Sequence, residues 1–298
     1  MSRFRNYLSL VKFSHTLFAL PFAMIGFFLG VVGRKSVFEA ESLGKTGLLI
    51  RFLLVLVCMV TARSAAMAFN RYLDRHFDAQ NPRTAIREIP RGIIAPHSAL
   101  RFVVICCLLF ISACWFINPL CFYLSPVALF VILFYSYTKR FTSLCHLVLG
   151  IGLSLAPIGA FLAVTGRFEL LPLLFSGAVI CWVSGFDIIY AMQDEDFDKS
   201  QNLFSIPTAF GKRRSLRISS LLHILSALFV FMAGIAGDFG SWYWVGMILF
   251  TGMLIYQHMI VKPNDLSRVN LAFMTTNGIA SVVFALFVIA DMFITHKH

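Results

Sequence analysis

Charge is what this sequence has least of. Asp, Glu, Lys and Arg together make up 13% of its 298 residues, about half the share of an ordinary soluble domain. Hydrophobic residues make up 59%, and mean hydropathy is +0.82. The shortage runs the length of the chain, which excludes a soluble domain carrying a single anchor and points to a polytopic membrane protein. Acidic residues are the scarcer sign, 14 against 25 Lys and Arg, for a net charge of +11. In a soluble chain that excess would suggest a nucleic-acid partner. Here the cations lie mostly in loops between apolar runs, so membrane orientation is the simpler meaning, and phosphate-bearing substrates are a second draw on them. None of the seven cysteines forms a CxxC pair, so neither a zinc site nor a disulfide framework is indicated. Low-complexity segments are also missing. The N-terminal run MSRFRNYLSLVKFSHTLFALPF lacks a small-residue cleavage site, so Arg3, Arg5 and Lys12 are read as anchoring a retained first span.

What is present is a series of apolar runs. Nine spans are expected, near 14–33, 46–69, 99–117, 119–138, 144–165, 169–190, 216–236, 241–261 and 270–293. Asn118-Pro119 is a tight-turn signal between the third and fourth. Pro21, Pro126 and Pro157 fall within spans, where they are expected to kink the helix. The layout puts eighteen Lys and Arg on one side and six on the other, with Arg63 inside the second span. For a bacterial-type inner membrane, that asymmetry places the N-terminus in the cytoplasm. The chain thus reads as one all-α membrane domain over 1–298. Its long polar loops, near 70–98 and 187–215, share the cytoplasmic face.

Those two loops carry the carboxylates. Asn70, Asp74 and Asp78 are spaced i, i+4, i+8, so on a helix they drift only about 40° per step and form one oxygen-rich stripe. Asp187, Asp194 and Asp198 are spaced i, i+7, i+11 and share a face if the helix continues, with Asp196 about 200° away from Asp194. Asp187 lies about two turns deeper than Asp194, where an ionisable group needs a reason to be present. Carboxylates without His or Cys companions favour a hard cation, magnesium before zinc. Two such faces on one side suggest metal ions bridging protein to a diphosphate, against the plainer reading of two solvated helix ends. An EF-hand is excluded by the spacing and the missing Gly.

Cations follow the first stripe, in its own loop and between the fourth and fifth spans. Arg83 and Arg87 are four apart, ahead of Pro90 and Gly92, and Tyr135-Ser-Tyr-Thr-Lys139-Arg140 adds a second group. These suit a grip on phosphate or carboxylate oxygens. Arg91, Arg101 and the run from Lys212 to Arg217 read instead as orientation charges. Arg63, seven residues before Asn70, points into the sector of the first stripe and is a candidate for binding an anionic substrate or neutralising the Asp cluster, with snorkelling as its plainer alternative. The histidines, His146 included, show no metal-ligand spacing.

These residues carry a resemblance. NRYLDRHFDAQNPRTAIREIPRG resembles the first signature of UbiA-type intramembrane prenyltransferases, NxxxDxxxD followed by RTxxRxxP. DIIYAMQDEDFD resembles the second, and YSYTKRFTSLCHLVLG the Y-x-x-x-KR segment between them. The three occur in family order and span most of the chain. The resemblance implies a bundle of about nine transmembrane helices and transfer of a polyprenyl group from its diphosphate to an aromatic acid, with Mg2+. It implies that Asn70, Asp74, Asp78, Asp194 and Asp198 hold the metal, and that Asp187, Tyr190 and Arg63 lie at the reacting centre. Arg83, Arg87, Tyr135, Lys139 and Arg140 would bind substrate. Where enterobacterial 4-hydroxybenzoate enzymes carry Lys-Ser-Thr, this chain has Leu203-Phe204-Ser205-Ile206-Pro207. That segment, with Lys12 to Pro21, looks more like the UbiA-like group of the futalosine route to menaquinone. Other acceptors of the superfamily (haem, chlorin, homogentisate, lipid phosphate) are the rival readings, and a cation-coupled transporter is the rival from another class. Membrane lipid is the expected surrounding. Neither a nucleic acid nor an obligate protein partner is expected.

Overall fold

The computed structural model describes residues 3–11, 19–33 and 37–295. Residues 14–18 of the first expected span, Lys12 and His15 lie outside the described residues, as do Arg34, Lys35, His296, Lys297 and His298. The helices are α1 (Arg3–Leu10), α2 (Leu20–Val32), α3 (Val37–Leu73), α4 (Arg75–Gln80), α5 (Pro96–Ile117) and α6 (Pro119–Thr138). They continue with α7 (Cys145–Thr165), α8 (Leu170–Ala191), α9 (Glu195–Ser200), α10 (Ile206–Ala236), α11 (Ser241–Ile260) and α12 (Asn277–Thr295). A 3₁₀ turn, Met192–Asp194, links α8 to α9, and a π-helical turn, Leu271–Thr276, precedes α12. The described residues contain no strand, only one isolated bridge between Lys262 and Asp265. Among the described residues, eight helices are long and apolar enough to cross a membrane, and the shorter apolar α2 joins them. The all-α membrane bundle is therefore as expected, and the count of about nine is close.

Local chemistry explains where the helices start and stop. Pro96 and Pro119 open α5 and α6, where their missing N–H groups cost nothing. The Asn118 side chain accepts the Cys121 N–H at 2.8 Å and donates to the Leu162 carbonyl at 2.8 Å, tying the α5–α6 turn to α7. Ser205 and Thr208 form a capping box at the start of α10. That helix begins ten residues before the expected 216, because a break at Gly211 (φ 74°) joins a first turn to the span. Pro21 lies in the first turn of α2, where it needs no intrahelical partner, whereas Pro126 and Pro157 are inside their helices as expected.

The core is built around α8, whose apolar window is 72% buried against 6–44% for the other seven spans. Phe175, Trp182 and Phe186 of α8 pack with Phe22 of α2, Tyr243 and Phe250 of α11 and Phe284 of α12. Small residues let the backbones approach. A Cβ added at Gly26 would lie 2.0 Å from the Pro157 carbonyl oxygen, so α2 rests directly on the backbone of α7. Gly26→Ala is expected to lower stability by about 1–3 kcal/mol, since backbone cannot yield as a side chain does. A thermal melt of the detergent-solubilised protein checks this, and an unchanged Tm would mean that α2 can slide. The cysteines remain free; Cys58 and Cys114 are the nearest pair, with sulfurs 3.8 Å apart.

Candidate active site

At one end of the bundle, the ends of α3, α6 and α8 and the loops that follow them enclose a polar cavity of about 280 Å³. Both carboxylate stripes reach it. Asn70 comes from the last turn of α3, Asp74 from the residue between α3 and α4, and Asp78 from α4. Asp187 comes from α8, Asp194 from the 3₁₀ turn and Asp198 from α9. The second stripe is not one continuous helix, but the 3₁₀ turn keeps its three carboxylates on the cavity. Asp196 is exposed and points elsewhere, as its spacing predicts.

Each outer carboxylate meets a cation from another segment. Arg140 Nη2 donates to Asp74 Oδ1 at 2.8 Å, and Asn70 Nδ2 to Asp74 Oδ2 at 3.1 Å. One guanidinium nitrogen of Arg87 bonds both oxygens of Asp78, at 2.7 and 2.8 Å. Arg83 grips Asp194 with Nε at 2.9 Å and with Nη2, while its Nη1 donates to the Tyr190 hydroxyl at 2.8 Å. Lys139 Nζ lies 2.7 Å from Asp198 Oδ1. Asp198 Oδ2 is buried with no hydrogen-bond partner among the described residues. Arg140 stands behind Asp74 rather than on the cavity wall, its guanidinium also lying over Phe77 and Tyr137.

Burial and charge oppose each other here. Burial pushes the Asp74 carboxyl above its ordinary range, against the pull of Arg140 and Lys139. Burial pulls the Lys139 ammonium down, but the charge of Asp198, its hydrogen bond and the more distant Asp194 and Asp74 together outweigh that, leaving it above its usual value. Arg83 is likewise held up, burial being outweighed by its hydrogen bond to Asp194 and that group's charge.

The inner end of the cavity is different. Arg63 and Tyr135 line it and also line a second, apolar cavity of about 340 Å³ between α3, α5, α6 and α7; Met67, Leu149 and Leu153 are shared as well. Ile117, Leu162 and Phe168 line the far end of that second space. Arg63 Nε is shut off from solvent and has no hydrogen-bond partner among the described residues. Arg91 and Arg101 are exposed and off the cavity, and no residue from Lys212 to Arg217 reaches it, in keeping with orientation charges.

His146, Asn81, Thr84 and Phe273 are among the cavity residues that carried no such expectation. His146, in the first turn of α7, places Nδ1 2.7 Å from Asp187 Oδ2. Asn81 Nδ2 donates to Asp194 Oδ1 at 3.1 Å, and the Thr84 hydroxyl to the Asp78 carbonyl at 3.1 Å. Phe273, on the π-helical turn, lies against Tyr190 with ring centroids 4.3 Å apart. Asn81 and Thr84 sit inside the arginine loop and so were near the signal. His146 and Phe273 are brought in by tertiary packing, and their positions in sequence carry no ligand spacing.

Carboxylate oxygens and an orphaned buried acceptor suit a hard cation, and the Arg and Lys groups among them suit phosphate. An apolar space adjoins it, sharing Arg63 and Tyr135 in its lining. The chain resembles several known proteins. It is 30% identical over 233 residues to a 4-hydroxybenzoate octaprenyltransferase of Aeromonas hydrophila, covering 78% of this chain and 81% of that protein. It is 31% identical over 223 residues to the protein of the same name from Tolumonas auensis, covering 75% of this chain and 78% of that one. Among solved structures, a UbiA homologue from Aeropyrum pernix superposes with a TM-score of 0.77 at 27% identity, covering 94% of this chain and 98% of that one. A UbiA homologue from Archaeoglobus fulgidus, solved with DMAPP and Mg2+, superposes with a TM-score of 0.70 at 19% identity, covering 97% and 99%. The sequence profile of the UbiA prenyltransferase family matches residues 15–279, and with the fold and the motif order in agreement the chain belongs to that family and is a multi-pass membrane prenyltransferase.

Proposed function

We propose that this prenyltransferase moves a polyprenyl group from its diphosphate to an aromatic acid of quinone biosynthesis, 4-hydroxybenzoate or a dihydroxynaphthoate. The observation that carries this reading is the junction of the two cavities. A polar chamber of carboxylates and cations adjoins an apolar one, the two sharing Arg63 and Tyr135 in their walls, an arrangement that suits a ligand with a highly charged head and a long greasy tail. The relatives' name supplies the acceptor class, and the ligands in the Archaeoglobus fulgidus structure supply the donor class and the metal.

In this reading Asn70, Asp74, Asp78, Asp194 and Asp198 hold Mg2+. The orphaned Asp198 Oδ2 is the observation that fits a cation there. Mg2+, when bound, offsets the negative charge that grows on the diphosphate as the allylic C–O bond breaks. Arg83, Arg87 and Lys139 turn from their carboxylates to diphosphate oxygens, with Arg140 supporting Asp74. The helix bundle keeps water from the allylic cation. Tyr190, backed by Phe273, presents a ring face to that cation. Arg63, with Tyr135 beside it, receives the acceptor's carboxylate. The ring carbon attacks, the diphosphate leaves with the C–O electron pair, and Asp187 takes the ring proton. The loops face the cytoplasm, as the charge asymmetry indicates, and residues 1–298 act as one domain.

Purified protein, Mg2+ and a polyprenyl diphosphate would be offered 4-hydroxybenzoate, 1,4-dihydroxy-2-naphthoate and 1,4-dihydroxy-6-naphthoate separately, with products identified by mass. One prenylated acid, abolished by EDTA, is the expected result. No product from any acid, in folded protein, would overturn the acceptor class and move the reading to another acceptor of the superfamily.

A further inference from the structure

His146 has no place in the steps above, yet it is 2% exposed, lines the polar cavity and contacts Asp187. Its two ring nitrogens have different partners. Nε2 lies 3.4 Å from the backbone N–H of Ile206, the first residue of α10. That N–H is one of the donors a helix leaves unpaired in its first turn. A backbone N–H can only donate, so Nε2 must accept and Nδ1 must carry the imidazole proton. Nδ1–H then donates to Asp187 Oδ2 at 2.7 Å.

The neighbours fix this arrangement. The Ser184 hydroxyl bonds the His146 carbonyl at 3.1 Å, joining α7 to α8 one turn from Asp187. The Phe204 N–H bonds the Lys139 carbonyl at 2.7 Å, so the segment leading into Ile206 is held at the end of α6. Asp187 is left with one oxygen engaged. No described residue donates to its Oδ1, and the side chain lines the cavity.

We propose that His146 is a positioning residue that fixes the Asp187 carboxylate so that Oδ1 accepts the ring proton in the transfer reaction. This rests on the aromatic-acceptor reading. When the new C–C bond has formed and diphosphate has left with the C–O pair, the substituted ring carbon still carries hydrogen. The C–H electron pair returns to the ring, restoring aromaticity, and the proton passes to Oδ1. His146 keeps its own proton throughout. Its bond to Oδ2 stops the carboxylate rotating away from the ring.

The test compares His146→Gln with His146→Leu in the full-length protein, using Mg2+, the donor, and the aromatic acid that the wild type prenylates. That acid is prepared with and without deuterium at the ring position that is substituted. A Gln amide can donate to Asp187 and accept from Ile206, so His146→Gln should recover most of the rate and show no isotope effect. His146→Leu can do neither. Its kcat should fall about tenfold to a hundredfold, with the donor KM unchanged. A ring-deuterium isotope effect should emerge as proton removal becomes slow. A folded Leu variant that loses rate without an isotope effect would overturn the proposal. A Gln variant as slow as Leu would do so too, because that would put His146 itself in the proton transfer. A Leu variant too unstable to assay leaves the Gln comparison to decide. Wild-type silence with every aromatic acid would instead remove the acceptor reading on which the proposal stands.

Discussion

Replacing Asp194 with Ala is expected to lower kcat for prenyl transfer by about a hundredfold to a thousandfold, with Asp74→Ala in the same range. Both residues are assigned to the metal and diphosphate end of the site, so the loss falls on the step that generates the allylic cation. Asp194 has a second duty: it accepts from Arg83 Nε and Nη2 and from Asn81. Its removal frees the guanidinium that also holds the Tyr190 hydroxyl. Asp74 is braced by Arg140 and Asn70, so Asp74→Ala removes the charged link between the end of α3 and the α6–α7 loop and leaves Arg140 its longer bond to the Leu73 carbonyl at 3.3 Å. Asp194→Asn separates charge from shape, since an amide keeps one acceptor for Arg83 but loses the negative charge; it should be nearly as slow as Ala. Steady-state rates with mass-identified product check this, alongside circular dichroism and a melt to establish folding. Near-normal turnover in both Ala variants would refute a site built on these carboxylates.

Arg63→Met should raise the KM for the aromatic acid about tenfold to a hundredfold, the worth of a hydrogen bond to a charged group at ~1.5–3 kcal/mol. Met keeps the apolar stem and the wall between the two cavities while removing the guanidinium. The donor KM should not move, because Arg63 lies at the inner end of the polar cavity and the assigned diphosphate ligands at the outer. The paired control is an acceptor of the same ring without its carboxylate. Wild type should use it poorly, and Arg63→Met should use it no worse than wild type does. Equal KM for the carboxylated acceptor in both proteins would show that Arg63 serves the protein instead, as a buried counter-charge.

The parts of this site that were legible in the sequence are those whose geometry is local. Asn70, Asp74 and Asp78 need only helical spacing to share a face, and they share one although α3 ends at Leu73. Arg83 and Arg87 could be matched to phosphate-binding chemistry from residue type and loop position. Their actual partners could not be, because Asp194 lies 111 positions from Arg83 and the pairing exists only once α3 and α8 are side by side. His146 was discounted for want of metal spacing, a criterion that does not apply to a histidine whose partner is a carboxylate on a neighbouring helix. The π-helical turn that carries Phe273 has no spacing signal either; it is stabilised by Asn277, which accepts from the indole of Trp182 and donates to the Ala272 and Phe273 carbonyls.

The crossed ion pairs also act as a filter on what can enter. Asp74, Asp78, Asp194 and Asp198 are each neutralised by a cation on another segment or turn. A ligand of one sign alone can displace only half of each pair and leaves the other half without its partner, at a cost that the partial exposure of the cations reduces. Inorganic diphosphate without a cation would abandon the carboxylates, and a cation without diphosphate would abandon the guanidinium groups. A diphosphate already carrying its cations can trade partners with both halves together, leaving no charge stranded. On the proposed reading, the resting site would favour the two components combined over either one singly, so that salts compete poorly with the donor.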